Sequence, residues 1–346
     1  VGANTVEGEE EIVVTSGATA GLNLLATAFG NASQGRGGES ARRFAVKPGD
    51  EIVVFKAEHH SVLLPFQELA ARTGATLKWF DLDDEGRILA NTADEVITER
   101  TKIVAVTHVG NTTGAITDIA PIVKRAHEVG AVVVLDACQS VPHLKIDLHA
   151  LDVDFAAWSA HKMYGPTGVG FLYGKREMLE ALPPANFGGS MVELAWMDQE
   201  AQYMAPPARF EAGTQPVAQV VAAGVAAEWL MNIGMENLEA HERVIAGELL
   251  KMGQIEGVRI LGPHANERRI GTVAFEIEGV HPHDVGQFID AQGIAIRVGH
   301  HCAQPVHRHF GVYASNRASS GIYNCVEDAQ ALVEALKKVR PFFGVK

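Results

Sequence analysis

Short β-branched runs alternate with helical periodicity from residue 11 to about residue 174, which predicts an α/β fold with a doubly wound, mainly parallel sheet. Residues 131–135 are a continuous apolar run, the signature of a strand buried on both faces. Polar residues with chemical potential follow several of these runs, where open parallel sheets gather their sites. Beyond residue 232 short strands and helices mix differently, which predicts a second, smaller α+β domain.

The chain has 346 residues, more than one core usually holds, so two domains are expected, 1–232 and 233–346, meeting near Asn232-Ile233-Gly234. With 47% apolar and 21% charged residues the composition is that of an ordinary globular protein. A net charge of −13 argues against general binding to nucleic acid or anionic membranes, and no apolar run reaches spanning length. The three cysteines, Cys138, Cys302 and Cys325, have no paired spacing, which with the absence of a leader pattern predicts a reducing, cytoplasmic setting. The chain opens at Val1 almost on strand-like sequence, so an N-terminal arm is expected to precede it.

Residues 11–15 read as a strand, followed by Ser16-Gly17-Ala18-Thr19 and a helix to Phe29. Strand, small-residue turn and helix start aim free backbone N–H groups at an anion, with Thr19 adding a hydroxyl; the same segment reads equally as a plain helix cap. Residues 31–49 are rich in Gly, Arg and Ser and read as a surface loop. The strand 51–55 runs into Glu58-His59-His60, before a helix from about residue 63 to 73. His59 there is either a ring that stacks on a planar cofactor or a solvated loop histidine. A strand over 75–80 and an acidic turn come next. The strand 102–109 opens into Gly110-Asn111, a helix covers 119–128, and the run from 131 ends at Asp136, with Gln139 just beyond. A carboxylate at that apolar position requires a positive partner, a helix cap or an ion pair.

The stretch Asp154 to Pro166 is a short apolar strand that stops at Ser159-Ala160-His161-Lys162. A lysine just past a buried strand is costly to desolvate, and a desolvated lysine is a usable nucleophile or base. Residues 168–174 form a return strand, 184–208 lack periodicity, 209–216 make a compact turn and 217–231 are helical. The second half predicts helices at 235–252, 283–291 and 327–339, with strands near 258–261, 271–277 and 293–298 and a short one after Arg317. Its loop Gly299-His300-His301-Cys302 is neither apolar nor regular, whereas Cys138 and Cys325 lie beside strands and read as structural.

One cofactor accounts for most of this set. Pyridoxal phosphate needs a lysine for its Schiff base, an acid at its pyridine nitrogen and a phosphate cradle. Lys162, Asp136 and the group Thr19, Ser159 and His161 supply these, Gln139 meets the ring oxygen, and Arg317 suits an α-carboxylate bound bidentately.

Ser159-x-His161-Lys162, Tyr164-Gly165-Pro166-Thr167-Gly168, Glu58-His59-His60, Arg209-Phe210-Glu211-Ala212-Gly213-Thr214, Arg297-x-Gly299-His300-His301-Cys302-Ala303-Gln304-Pro305 and Arg317-Ala318-Ser319 together resemble the class V pyridoxal-phosphate enzymes, and more narrowly the SufS-type (group II) cysteine desulfurases. The resemblance spans nearly the whole chain from Glu10. It implies an aspartate-aminotransferase-like (fold type I) architecture. It implies that Lys162 holds the cofactor and moves the Cα proton of L-cysteine, that His59 stacks on the ring, and that Asn111 and Arg317 bind the substrate carboxylate. It also implies that Cys302 takes the sulfur as a persulfide, leaving alanine, for an acceptor of SufU or SufE type in iron–sulfur cluster assembly. Thr214 is implied to reach the phosphate of a partner subunit, hence a homodimer. His283, in His281-Pro282-His283-Asp284, matches a histidine that takes over a zinc ligand from a zinc-bound SufU-type acceptor. Ala18 and Ala20 depart from the family's Thr and acidic residue, so Ala18 is expected to offer the phosphate its backbone without a hydroxyl. The 31–49 loop looks longer than in relatives. Selenocysteine lyase activity on the same scaffold is the near alternative. A metal-binding protein built on His281/His283, His300/His301/Cys302 and His307/His309 is the distant one, and no Cys-x-x-Cys or His-Glu-x-x-His pattern supports it.

Overall fold

The computed structural model describes residues 1–345. Seven strands make the large sheet: β1 (Ile12–Thr15), β2 (Glu51–Phe55), β3 (Thr76–Phe80), β4 (Thr101–Thr107), β5 (Val132–Asp136), β6 (Phe155–Ser159) and β7 (Gly170–Gly174). Their order is β1-β7-β6-β5-β4-β2-β3. The pairs β2–β3, β2–β4, β4–β5 and β5–β6 are parallel, while β7 returns antiparallel between β6 and β1. This is the α/β, fold type I architecture expected.

The β-branched composition of β5 has the anticipated consequence, because all five of its residues are buried with helices on either side of the sheet. Each such fully buried Val or Leu contributes roughly 1.5–3 kcal/mol of transfer free energy. On one face the helices Ala18–Ser33 and His60–Thr73 pack on Val54, Ala105 and Val134; on the other, the helix Ala120–Glu128 covers Val104, Val133 and Leu135. Packing therefore fixes the C-terminal ends of the parallel strands β2 to β6 at one edge. Register brings Thr107 of β4 beside Asp136 of β5, and Asp136 beside Ala157 of β6.

The short hairpin β8 (Val192–Leu194) and β9 (Gln202–Tyr203) follows, within a segment whose sequence has no periodicity. The helix Val217–Ile233 then bends by 77° at Gly234 into a second long helix. Gly234 has φ 88°, a left-handed value that favours glycine. The remaining strands, β10 (Val258–Ile260), β11 (Thr272–Ile277), β12 (Arg297–Gly299) and β13 (Ser315–Ser319), form an antiparallel sheet in the order β10-β11-β13-β12. It has its own core of Val273, Phe275, Leu332 and Leu336. No single helix among the described residues is long and apolar enough to cross a membrane.

Three expectations change. The 31–49 stretch is not simply a surface loop. The first helix runs to Ser33, a short helix covers Gly38–Ala41, and Phe44 is buried against Phe29 and Phe155. The helix His60–Thr73 begins three residues earlier than its pattern indicates, because His59 caps it. The strand expected over 293–298 is confined to β12, displaced toward the Cys302 loop.

Candidate active site

Lys162 sits in a one-turn 3-10 helix, Ala160–Lys162, which breaks β6 at its C-terminal end. It is half-buried rather than fully desolvated, a correction to the sequence expectation, and it borders a cavity of about 180 Å³. That cavity is also lined by Ala18, Thr19, His59, Asn111, Asp136, Gln139, Ser159 and His161. One space thus gathers nine of the expected groups from five separate segments of chain.

Asp136 is buried at the end of β5, where its Oδ1 accepts from the Cys138 backbone N–H at 2.9 Å. The Ala18–Ser33 helix starts at Gly17, which offers no side-chain cap, so its first-turn amides beyond that of Ala18 are available to an anion. Ser159 Oγ accepts from the Ala18 N–H at 2.9 Å, and the hydroxyls of Thr19 and Ser61 lie 2.7 Å apart. Gly170 is obligatory behind this cradle, since a Cβ there would approach Gly17 Cα to 2.5 Å. Burial, reinforced by Lys162, holds the His161 imidazole below its ordinary pKa.

His59 is oriented by its own helix, its Nδ1 accepting from the Ser61 N–H at 3.0 Å. In the neutral ring the proton is therefore on Nε2. Burial pushes its pKa down, Asp136 opposes this, and Lys162, His60 and Arg317 reinforce it. Beneath it Glu58 is completely buried. One oxygen accepts from the Thr107 N–H at 2.9 Å and the Phe55 N–H at 3.2 Å, and the other bonds the Thr107 hydroxyl. Burial, with the Asp136 charge adding to it, raises Glu58 to about 8. Glu58 is thus a neutral acid at pH 7 in this structure. The sequence motif Glu58-His59-His60 includes it but assigns it no role.

The second cluster comes from the small sheet. Cys302 is exposed, and it and His301 both adopt left-handed backbone, with φ 55° and 51°. That conformation costs a non-glycine residue roughly 1–2 kcal/mol. The loop is tied to the segments that follow β2 and β4: the His60 N–H donates to the Cys302 carbonyl at 2.8 Å, and Asn111 Nδ2 to the His301 carbonyl at 2.7 Å. Cys302 borders an open groove along the first two long helices, whose lining also includes Thr19, His59 and Ser61 of the cavity wall. Arg317, on β13, donates to the Asn111 carbonyl at 2.9 Å, while its Nε is buried without a partner. Burial, helped by Arg297, lowers the pKa of this guanidinium. A buried, unpartnered donor beside Asn111 is what a carboxylate ligand would satisfy.

Two expected residues stand apart. Thr214 is exposed and does not line the cavity of its own chain. His283 is exposed at the start of the helix Pro282–Asp290, its ring stacked on that of His281 at 5.5 Å. Cys138 is buried, and burial pushes its thiol up to about 12. Cys325 is exposed and caps the helix Val326–Leu336. Among the described residues no group of three or more His, Cys, Asp or Glu side chains is placed to hold a metal ion.

The model of the aminotransferase class-V family matches residues 3–332. The chain belongs to the class-V aminotransferase family. It is 47% identical over 337 residues to the probable cysteine desulfurase 2 of Mycobacterium leprae, covering 97% of this chain and 78% of that protein. The crystal structure of the cysteine desulfurase CsdA from Escherichia coli, in its S-sulfonic acid form, superposes with a TM-score of 0.88 at 35% identity, covering 96% of this chain and 79% of that one. At 22% identity a C-DES mutant, solved with glycine covalently linked to its PLP cofactor, shares the fold with a TM-score of 0.76 over 94% of this chain and 80% of that one. Pyridoxal phosphate is the cofactor of this family. The cavity fits it: a lysine amine, a buried carboxylate, an oriented imidazole and an uncapped helix start converge on one space.

Proposed function

We propose that this enzyme is a cysteine desulfurase that removes sulfur from L-cysteine, leaves alanine and carries the sulfur as a persulfide on Cys302. The observation that supports this reading is the convergence of two unlike clusters, a lysine–carboxylate cavity and a cysteine on a strained loop, that share the His59 wall.

Lys162 would hold pyridoxal phosphate covalently, Asp136 would face its pyridine nitrogen, Gln139 its ring oxygen, and His59 its ring face. Thr19, Ser159, His161 and the backbone at Ala18 would hold the phosphate. When bound, the cofactor supplies an electron sink for the pair left at the substrate's Cα. Arg317 and Asn111 bind the substrate carboxylate and fix which Cα bond faces Lys162. Lys162 Nζ, once displaced by the substrate's amine, takes the Cα proton. The Cys302 thiolate attacks the substrate's sulfur, so an S–S bond forms as the substrate's Cβ–S bond breaks. The electron pair stays with the carbon fragment, which gains a proton and leaves as alanine. His59, its neutral tautomer set by Ser61, moves a proton at this step.

The same reading includes a homodimer, with Thr214 reaching the partner's phosphate. Val217, Val221, Val225 and Trp229 support it, an exposed apolar stripe at four-residue spacing on the Val217–Ile233 helix. Sedimentation of Val225→Glu is expected to show monomer; an unchanged dimer contradicts this interface. We place the persulfide's onward transfer with a SufU or SufE type acceptor for iron–sulfur assembly, with His283 exposed for a zinc-bound one.

Alanine release from L-cysteine tests the main reading. Parental protein is expected to release alanine, and Cys302→Ala to keep the cofactor's absorption while releasing none above the free-thiol rate. Full activity of Cys302→Ala on L-selenocysteine with none of either protein on L-cysteine would assign a selenocysteine lyase instead.

A further inference from the structure

Behind the Cys302 loop lies a buried row of side chains that none of these roles uses. His301 Nε2 is 3.0 Å from Ser315 Oγ, and His307 Nε2 is 2.9 Å from the same oxygen. His307 Nδ1 lies 3.0 Å from the Ala303 carbonyl. Ser315 and His307 are almost wholly buried, and His301 nearly so. Ser315 is on β13, two residues before Arg317, and pairs with Gly299 of β12, while His307 is on the helix Gln304–His309 that follows the loop.

The partners fix where the protons lie. A carbonyl only accepts, so His307 Nδ1 carries a hydrogen, and Nε2 of that ring, when neutral, is an acceptor. The Ser315 hydroxyl then donates to His307 Nε2, and its oxygen accepts from His301 Nε2–H. His301 Nδ1 is left as a bare lone pair, buried and without a partner. Burial, with Arg317, His307, Arg297 and His300 adding to it, pulls His301 down to about 3, and burial likewise lowers His307. Both rings are therefore neutral near pH 7, and a single arrangement of hydrogens satisfies the row.

What the row braces is the strained pair His301–Cys302. From the segments that follow β2 and β4, His60 and Asn111 hold this pair by its carbonyls alone. From the small sheet, the row holds the His301 side chain, and through His307 it holds the Ala303 carbonyl on the other side of Cys302. Both neighbours of the cysteine are thereby clamped to one hydroxyl. We propose that Ser315 and His307 are positioning residues for Cys302: the buried His301–Ser315–His307 row sets the left-handed backbone that presents the thiol to the cavity. The proposal rests on the desulfurase reading for its kinetic consequence and on geometry alone for its structural one.

The test uses Ser315→Ala, His307→Leu and Ser315→Thr, the last keeping the hydroxyl. In the whole cofactor-free protein, amide exchange followed by mass spectrometry is expected to quicken roughly tenfold in residues 300–304 of the first two variants, the effect of one buried hydrogen-bond partner lost. Exchange in the helices Ala18–Ser33 and Val326–Leu336 should stay parental, and Ser315→Thr should stay protected throughout. In the cofactor-loaded protein, kcat for alanine release should fall roughly tenfold for Ser315→Ala with KM for L-cysteine and cofactor absorption unchanged, because Arg317, Asn111 and Lys162 are untouched. Parental kcat in folded Ser315→Ala or His307→Leu overturns the proposal. So does exchange that quickens equally in every element, which marks a merely structural role. Should Ser315→Ala fail to fold, His307→Leu decides by the same two measurements. A parental protein that releases no alanine sinks the desulfurase reading, while the exchange arm still decides the clamp.

Discussion

The lysine cavity and the cysteine loop use opposite means to hold reactive groups. The cavity is built at the ends of buried strands, and its groups are fixed by register: Thr107 beside Asp136, Asp136 beside Ala157. Little backbone strain is needed there, because β4, β5 and β6 are immobilised by their own cores. The cysteine loop lies past the end of β12, where two consecutive non-glycine residues adopt left-handed backbone and hydrogen bonds from both halves of the chain hold them there. A group that meets a fixed cofactor suits a rigid mount. A thiol that takes sulfur from one molecule and yields it to another suits an exposed loop. On the proposed desulfurase reading, the group that starts the chemistry and the thiol that collects the sulfur are held by two styles of support.

The largest expected effect breaks the rigid side. Lys162→Ala is expected to lose covalent cofactor linkage, read as loss of protein-bound absorption after denaturation and filtration, and to lower turnover by at least roughly 10²–10⁴-fold, the range for a positioned acid–base group. Turnover within a fewfold of the parent would remove Lys162 from its role.

A smaller effect sharpens how the cavity's floor is held. In the cofactor-free protein Glu58 titrates in the folded state at about 8, above its ordinary 4.5. The native state therefore keeps a proton that the unfolded chain releases between those values. The stability associated with that proton is fully present below about pH 4.5 and is lost as pH rises through about 8. Glu58→Gln keeps a carbonyl for the Thr107 and Phe55 amides and an N–H donor for the Thr107 hydroxyl, so it should remain folded and flatten this pH dependence. Glu58→Ala leaves those amides unpaired and should destabilise by about 1–3 kcal/mol per group. Thermal melts across that pH window check both; an identical slope in parent and Glu58→Gln would show that Glu58 does not carry it.

The smallest effect concerns the exposed side. His283→Ala should lower severalfold the ratio of alanine-release rates measured with and without a zinc-loaded SufU-type acceptor. An unchanged ratio would remove His283 from that encounter.

Much of this division was legible beforehand, for physical reasons that differ by region. A strand buried on both faces must be continuously apolar, so β5 announced itself and placed Asp136 at its end. Lys162, His59 and Asn111 follow strands in the same way, and the parallel topology that sequence periodicity predicts is what brings them together. The 192–203 hairpin was not legible, because strands of two and three residues carry no period to detect. Phe44 was hidden within a stretch rich in Gly and Arg, and only its stacking on Phe29 shows that part of that stretch belongs to the core. The His301–Ser315–His307 row was beyond reach because it joins a loop, a strand and a helix through one hydroxyl, and no spacing rule encodes that. Glu58 was visible as a residue but not as a neutral acid, since its state depends on complete burial beside Asp136.

The central claim is that sulfur loosened at the Lys162 cavity is collected on Cys302 and on no other cysteine of the chain. Cofactor-loaded protein mixed with equimolar L-cysteine, quenched after one turnover and digested, reports this by the masses of the three cysteine peptides. The account predicts one added sulfur on the Cys302 peptide, none on those of Cys138 and Cys325, and an equal yield of alanine. Sulfur on Cys325 or Cys138, or full alanine yield from Cys302→Ala, would contradict it.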